Sequence, residues 1–155
     1  MQNLKEREEV IEYSKKLNTT NLSPLRSGNI SVRGVQDKVE GFFITPPGKK
    51  YELLKPEDIV FLSLNEEKDF ISWFNSGKNP SSEWRFHQDI YKSKWEAKAI
   101  VHAHSPNATA VSSHGKPVPA FHYMIALVGG DDIKCSEYAT FGTNELSINI
   151  VKALE

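Results

Sequence analysis

The residues best equipped for chemistry lie in Ala99-Ile100-Val101-His102-Ala103-His104. In an extended strand side chains alternate faces, so Ile100, His102 and His104 point one way and Ala99, Val101 and Ala103 the other. Two imidazoles then leave one face with Cα atoms about 6.5–7 Å apart. That spacing lets both rings converge on one first-row metal ion at about 2.0–2.1 Å. It equally suits two polar residues near a strand end. A catalytic zinc centre takes three protein ligands and keeps one position open. The best third group is Glu83, expected in the first turn of a helix, where the helix dipole favours negative charge. His87 stands four residues after Glu83, as metal pairs on helices do. However, Trp84, His87 and Tyr91 form a stripe that reads better as core contact. His114, beside Gly115, reads as a surface residue.

A second set of residues could hold an anion. Gly28-Asn29 in a turn, Gly48 in a loop, and Ser81-Ser82 before a helix offer backbone N–H and hydroxyl donors. Each taken singly is also an ordinary turn or cap. Pro46-Pro47-Gly48-Lys49-Lys50 lacks the glycine spacing and the Ser or Thr of a Walker loop. Lys49-Lys50 reads as a solvated pair.

The elements that must position these groups follow from periodicity and punctuation. Residues 3–17 carry Leu4, Val10, Ile11, Ser14 and Leu17 in an amphipathic helix pattern. Strands at 30–33 and 39–45 read as a hairpin. A helical turn at 53–58 feeds an apolar strand at 59–64, and Phe70–Phe74 reads as an edge strand. A helix over about Ser82 to Lys94 precedes the histidine strand. Ser105 caps the next helix, Pro106 opens it and Gly115 closes it. Residues 116–120 cross to 121–127, and Gly129-Gly130 follows. Thr143 caps a last helix with Leu146, Ile150, Ala153 and Leu154 on its apolar side. That pattern runs to Glu155 with no C-cap, so the end is expected to be a cut one. Strands first and mixed elements later give an α/β sandwich around one sheet.

Length and charge narrow the class further. The 155 residues suit one domain spanning 1–155, and a net charge of −1 argues for no nucleic-acid or membrane partner. No apolar run reaches membrane-spanning length. Cys135 is the one cysteine, so no internal disulfide forms and a reducing, cytoplasmic setting is expected.

Several strings together resemble the class II (zinc) aldolase/adducin family. They are Gly28-Asn29-Ile30-Ser31-Val32-Arg33, Ile44-Thr45-Pro46-Pro47-Gly48 with Tyr51, and Pro80-Ser81-Ser82-Glu83-Trp84-Arg85-Phe86-His87. To these add Val101-His102-Ala103-His104, Phe121-His122-Tyr123-Met124-Ile125-Ala126 with Gly129-Gly130, and Tyr138-Ala139-Thr140-Phe141-Gly142-Thr143 with Glu145-Leu146. The resemblance implies a three-layer α/β/α sandwich around a central mixed, mainly antiparallel sheet. It implies one zinc ion per subunit, held by His102, His104 and, without substrate, Glu83. Glu83 would shuttle the proton next to the substrate carbonyl. Gly28, Asn29, Gly48, Ser81 and Ser82 would hold a sugar phosphate. Tyr123, from a neighbouring subunit of a homotetramer, would protonate the leaving aldehyde, and Phe141 would line its pocket.

The implied reaction is cleavage of L-fuculose 1-phosphate, or a similar ketose 1-phosphate, to dihydroxyacetone phosphate and a short aldehyde such as lactaldehyde. Alternatives within the family are a pentulose-5-phosphate 4-epimerase, a sugar-phosphate dehydratase, and a non-catalytic adducin-like assembly protein. Epimerase relatives tend to carry Asp where this chain has Glu83. Two departures stand out. Pro47 replaces the family's Thr or Ser and offers neither hydroxyl nor N–H. The family's third zinc histidine lies beyond the last helix, and no histidine follows His122 here. The domain is therefore expected to be C-terminally truncated.

Overall fold

A hairpin forms the middle of the sheet. Strand β1 (Asn29–Gln36) turns at Asp37-Lys38 into β2 (Val39–Ile44), pairing Ser31 with Ile44 and Gln36 with Val39. Both turn residues have left-handed φ, 50° and 65°, the twist that a two-residue hairpin needs. Strand β3 (Val60–Ser63) adds to β2, and β4 (Ala99–His102) adds to β1 with Asn29 opposite His102. The order is β3-β2-β1-β4. Every pairing among the described residues is antiparallel, in keeping with the mainly antiparallel sheet expected. The computed structural model describes residues 2–67, 77, 79–128 and 130–155; the expected strand at Phe70–Phe74 and Gly129 lie outside these.

Alternation along the strands builds two cores. Ile30 and Phe43 face helix α1 (Leu4–Thr19), packing with Val10, Ile11, Leu17, Tyr51, Leu54 and Ile59. Phe42, Ile44, Val60 and Leu62 face the other way onto Trp84 and Tyr91 of helix α2 (Trp84–Ser93). The result is helix, sheet, helix, the three layers of the expected α/β fold. Arg33 ties β1 to the end of α2, donating to the carbonyls of Tyr91 (2.6 Å), Lys94 (3.3 Å) and Ala97 (3.0 Å).

Beyond β4 come helix α3 (Pro106–Ser112), a small ladder of β5 (Val118–Pro119) with β6 (Asp132–Ile133), and helix α4 (Asn144–Ala153). Thr143 caps α4 as expected, accepting from Leu146 N at 3.2 Å. Helix α4 docks on α2 through Ser147, which donates to Asp89 at 2.6 Å. Its expected apolar side is not a closed core. Leu146, Ile150 and Leu154 instead line an open cleft with Phe86, Ile90, Ile100 and His102. No helix among the described residues is long and apolar enough to cross a membrane.

Three local expectations change. The histidine strand stops at His102, because β1 begins at Asn29 and offers no further partner; His104 N donates to Leu22 O instead. Glu83 is the N-cap of α2, one residue before its first turn. Lys49 is not merely solvated: its ammonium lies 2.6 Å from Asp58.

Candidate active site

The antiparallel register gathers one end of the sheet. The first residue of β1 sits opposite the last of β4, and the end of β2 lies next to the start of α2, where Ser81 N donates to Thr45 O. Asn29 and His102 are direct partners across the ladder, so their side chains share a face. Glu83 enters from the helix side.

These three side chains form a tight triangle. Glu83 Oε2 lies 2.8 Å from His102 Nδ1 and 2.7 Å from Asn29 Nδ2, while Asn29 Nδ2 lies 3.1 Å from His102 Nδ1. The His104 ring stands 4.8 Å from the His102 ring, centroid to centroid. Burial pushes the Glu83 carboxyl pKa up, but the hydrogen bond and charge of His102, the bond from Asn29 and the charge of His104 outweigh it and hold it below the ordinary value. Glu83 is therefore an ionised carboxylate in a largely dry place. The His104 pKa is lowered, first by burial and then by the charge of His102, against the opposing pull of Glu83.

Behind the triangle runs a buried polar chain. His87, fully buried, bonds Asn29 Oδ1 through Nε2 and Ser31 Oγ (2.7 Å) through Nδ1; Ser31 Oγ in turn meets Tyr91 Oη at 2.9 Å. Burial drives the His87 pKa down to about 3, assisted by the charge of His102, so the ring is neutral. Burial likewise lifts Tyr91 to about 12 despite its bond to Ser31. The stripe of Trp84, His87 and Tyr91 is buried as expected. With both ring nitrogens committed inside the protein, His87 is no metal ligand. Ser31 and Tyr91 were missed by sequence reasoning. The two-residue step from Asn29 to Ser31 and the four-residue step from His87 to Tyr91 were the available signal.

The anion candidates meet at the same end but differ in what they have free. Gly28 N donates to Ser23 Oγ (2.7 Å) and its carbonyl accepts from Tyr51 Oη (2.6 Å), so its polar groups are engaged. The Asn29 side chain turns to Glu83 and His102. Ser81 uses its N–H on Thr45 and its hydroxyl accepts from Glu83 N at 3.3 Å. Gly48, at φ 71°, stands in open space, and Arg26 Nη1 donates to its carbonyl at 2.8 Å. Arg26 is a cation at this mouth that the sequence reading passed over. Gly142 packs on Ser82, since a Cβ there would lie 3.0 Å from Ser82 O, and this brings the exposed Phe141 to the same neighbourhood. Tyr123, in the 3-10 turn Tyr123–Val128, is exposed and lines a separate shallow hollow with Phe121 and Ile125.

Two imidazoles and a carboxylate are the donor types of a catalytic zinc centre. In kind, Glu83, His102 and His104 fit the ion. Among the described residues, though, no group of three or more His, Cys, Asp or Glu is arranged to hold a metal ion.

The fold is shared with known proteins. The chain belongs to the class II aldolase family: residues 8–155 match the Class II Aldolase and Adducin N-terminal domain. It is 44% identical over 147 residues to the L-fuculose phosphate aldolase of Escherichia coli K12, covering 95% of this chain and 64% of that protein. It is 41% identical over 146 residues to the 5-methylthioribulose-1-phosphate/5-deoxyribulose-1-phosphate aldolase of Rhodospirillum rubrum, covering 94% of this chain and 62% of that one. A solved L-fuculose 1-phosphate aldolase superposes with a TM-score of 0.84 at 38% identity, covering 99% of this chain and 69% of its own. The chain thus spans less than two thirds of the length of these two curated relatives.

Proposed function

We propose that this protein works in a zinc-dependent aldolase that cleaves a ketose 1-phosphate to dihydroxyacetone phosphate and a short aldehyde, in cytoplasmic carbohydrate metabolism. L-fuculose 1-phosphate, giving lactaldehyde, is one candidate substrate, which would place the enzyme in fucose degradation. 5-Deoxyribulose 1-phosphate is the other, since relatives at similar identity carry each name. The observation that carries the reading is Glu83, a half-buried carboxylate kept ionised beside two histidines at the end of the sheet.

In this reading His102 and His104 would hold the zinc ion, with Glu83 as a further ligand when no substrate is bound. When bound, zinc supplies Lewis acidity to the substrate oxygens. Glu83 moves the proton at the carbon next to the carbonyl, the task of a general base with little water around it. Backbone and hydroxyl donors around Gly28, Asn29, Gly48, Ser81 and Ser82 hold the phosphate. Arg26, which bonds the Gly48 carbonyl, brings a cation beside the loop where Pro47 offers no donor. Tyr123 of a neighbouring subunit in a homotetramer protonates the departing oxygen, and Phe141 lines the aldehyde pocket.

The test is zinc content and triose phosphate release with both substrates, with Glu83→Gln alongside. Loss of a general acid/base should lower kcat by about 100-fold or more. Zinc-free, inactive protein would overturn the aldolase reading. So would epimerisation of a pentulose 5-phosphate without triose release. Full activity in Glu83→Gln would remove Glu83 from its role, and a catalytically active monomer on a sizing column would remove Tyr123 from its own.

A further inference from the structure

The hydrogen-bond chain behind Glu83 has one direction. An ionised carboxylate only accepts, so the Asn29 atom 2.7 Å from Glu83 Oε2 is its NH2 group. The Asn29 carbonyl oxygen then faces His87, so His87 Nε2 must carry the proton. Nδ1 is left as an acceptor and takes the Ser31 hydroxyl hydrogen, and Ser31 Oγ accepts from Tyr91. The complementary His87 tautomer would aim a lone pair at the amide oxygen. The amide would turn over, and its oxygen would meet the Glu83 carboxylate.

We propose that His87 is a positioning residue: held as the Nε2–H tautomer, with Nδ1 accepting from the Ser31 hydroxyl, it keeps the Asn29 amide turned with its NH2 toward Glu83. The link to metal binding rests on the function proposed above; the tautomer and the amide orientation do not. His87 touches no reacting atom. It acts through Asn29, whose amide donates to the carboxylate that in turn accepts from His102 Nδ1. Outer partners of this kind change metal affinity by about 10–100-fold when removed.

Two measurements test it. In metal-free protein, long-range 1H–15N spectra of the histidine rings report the tautomer directly. His87 should show Nε2–H; an Nδ1–H ring, or a mixture of the two, overturns the proposal. This readout holds whether or not the protein binds zinc, so failure of the metal reading is distinguishable from failure here. The second is Zn2+ competition against a chromophoric chelator. His87→Phe keeps the ring's bulk and stacking on Phe86 (centroids 4.6 Å) but removes the donor. It should weaken Zn2+ binding by about 10-fold or more, and His87→Gln, which can still donate to Asn29, should restore most of it. In an Asn29→Ala background His87→Phe should cost no further affinity, because the two act in series. Additive losses, or unchanged affinity in folded His87→Phe, overturn the proposal. Should His87→Phe fail to fold, Ser31→Ala replaces it, with a weaker loss expected and none refuting.

Discussion

Gly28 shows how closely a single position governs the site. A Cβ on this residue would lie 2.4 Å from the carbonyl oxygen of His102 and 2.9 Å from Ser23 Oγ. Both are nearer than real Cβ contacts allow, and the first is backbone that cannot swing aside. Gly28→Ala should therefore push β4 away from β1 at the point where His102 is presented. The expected cost is about 1–3 kcal/mol in urea denaturation, as for overpacking elsewhere, with weaker Zn2+ binding. Unchanged stability would mean that the approach is looser than the register implies. The sequence flagged Gly28-Asn29 as a turn and anion site, on local chemistry alone. It could not flag the crowding, because His102 is a partner 74 positions away.

At the scale of elements, the site depends on α2 being held at both ends. Its N-terminus presents Glu83. Its C-terminus is fastened by Arg33, whose guanidinium takes carbonyls of Tyr91, Lys94 and Ala97, pairs with Glu40 at 2.8 Å, and lies 4.9 Å over the Tyr91 ring. A cation at a helix C-terminus also suits the dipole. Arg33→Met preserves much of the stem but strands those carbonyls. Hydrogen bonds from a charged donor contribute about 1.5–3 kcal/mol, so a loss of about 2–3 kcal/mol in urea denaturation is expected. Helix α2 itself was legible from its 3.6-residue stripe, as was the β1–β2 hairpin from its apolar alternation. The end of β4 was not. Ala99–His104 alternates evenly as a string, but a strand lasts only as long as it has a partner, and β1 begins at Asn29.

Over the whole molecule, buried ionisable groups tie stability to pH. The unfolded chain protonates His87 near pH 6.5, while the folded protein holds it neutral down to about pH 3. Below pH 6.5 the unfolded state binds the extra proton, so stability rises with pH and falls as acid is added. The slope from His87 is about 1.4 kcal/mol per pH unit. His104, also lowered, acts in the same sense. Glu83, held below its ordinary pKa, contributes stability above about pH 4.3 that is lost as pH falls further. Urea midpoints should thus decline between pH 6.5 and 4.5, and His87→Gln should flatten that decline without abolishing it. Equal slopes in both proteins would show that His87 titrates normally.

The amino-acid sequence by itself determined the family, the α/β class and the identities of the polar groups, because motif residues and hydrophobic period are properties of neighbours along the chain. It placed Glu83, His102 and His104 as candidate metal donors and the stripe of Trp84, His87 and Tyr91 as core. Only the tertiary structure decided how these sets meet. His87 belongs to both, buried like a core residue yet bonded through Asn29 to Glu83, which His102 also meets. That link joins β1, α2 and β4, and its direction follows from one ionised carboxylate at its end. No local pattern encodes a hydrogen bond between residues 54 to 73 positions apart. Antiparallel pairing of Asn29 with His102 brings them together, and the close approach at Gly28 lets that pairing form.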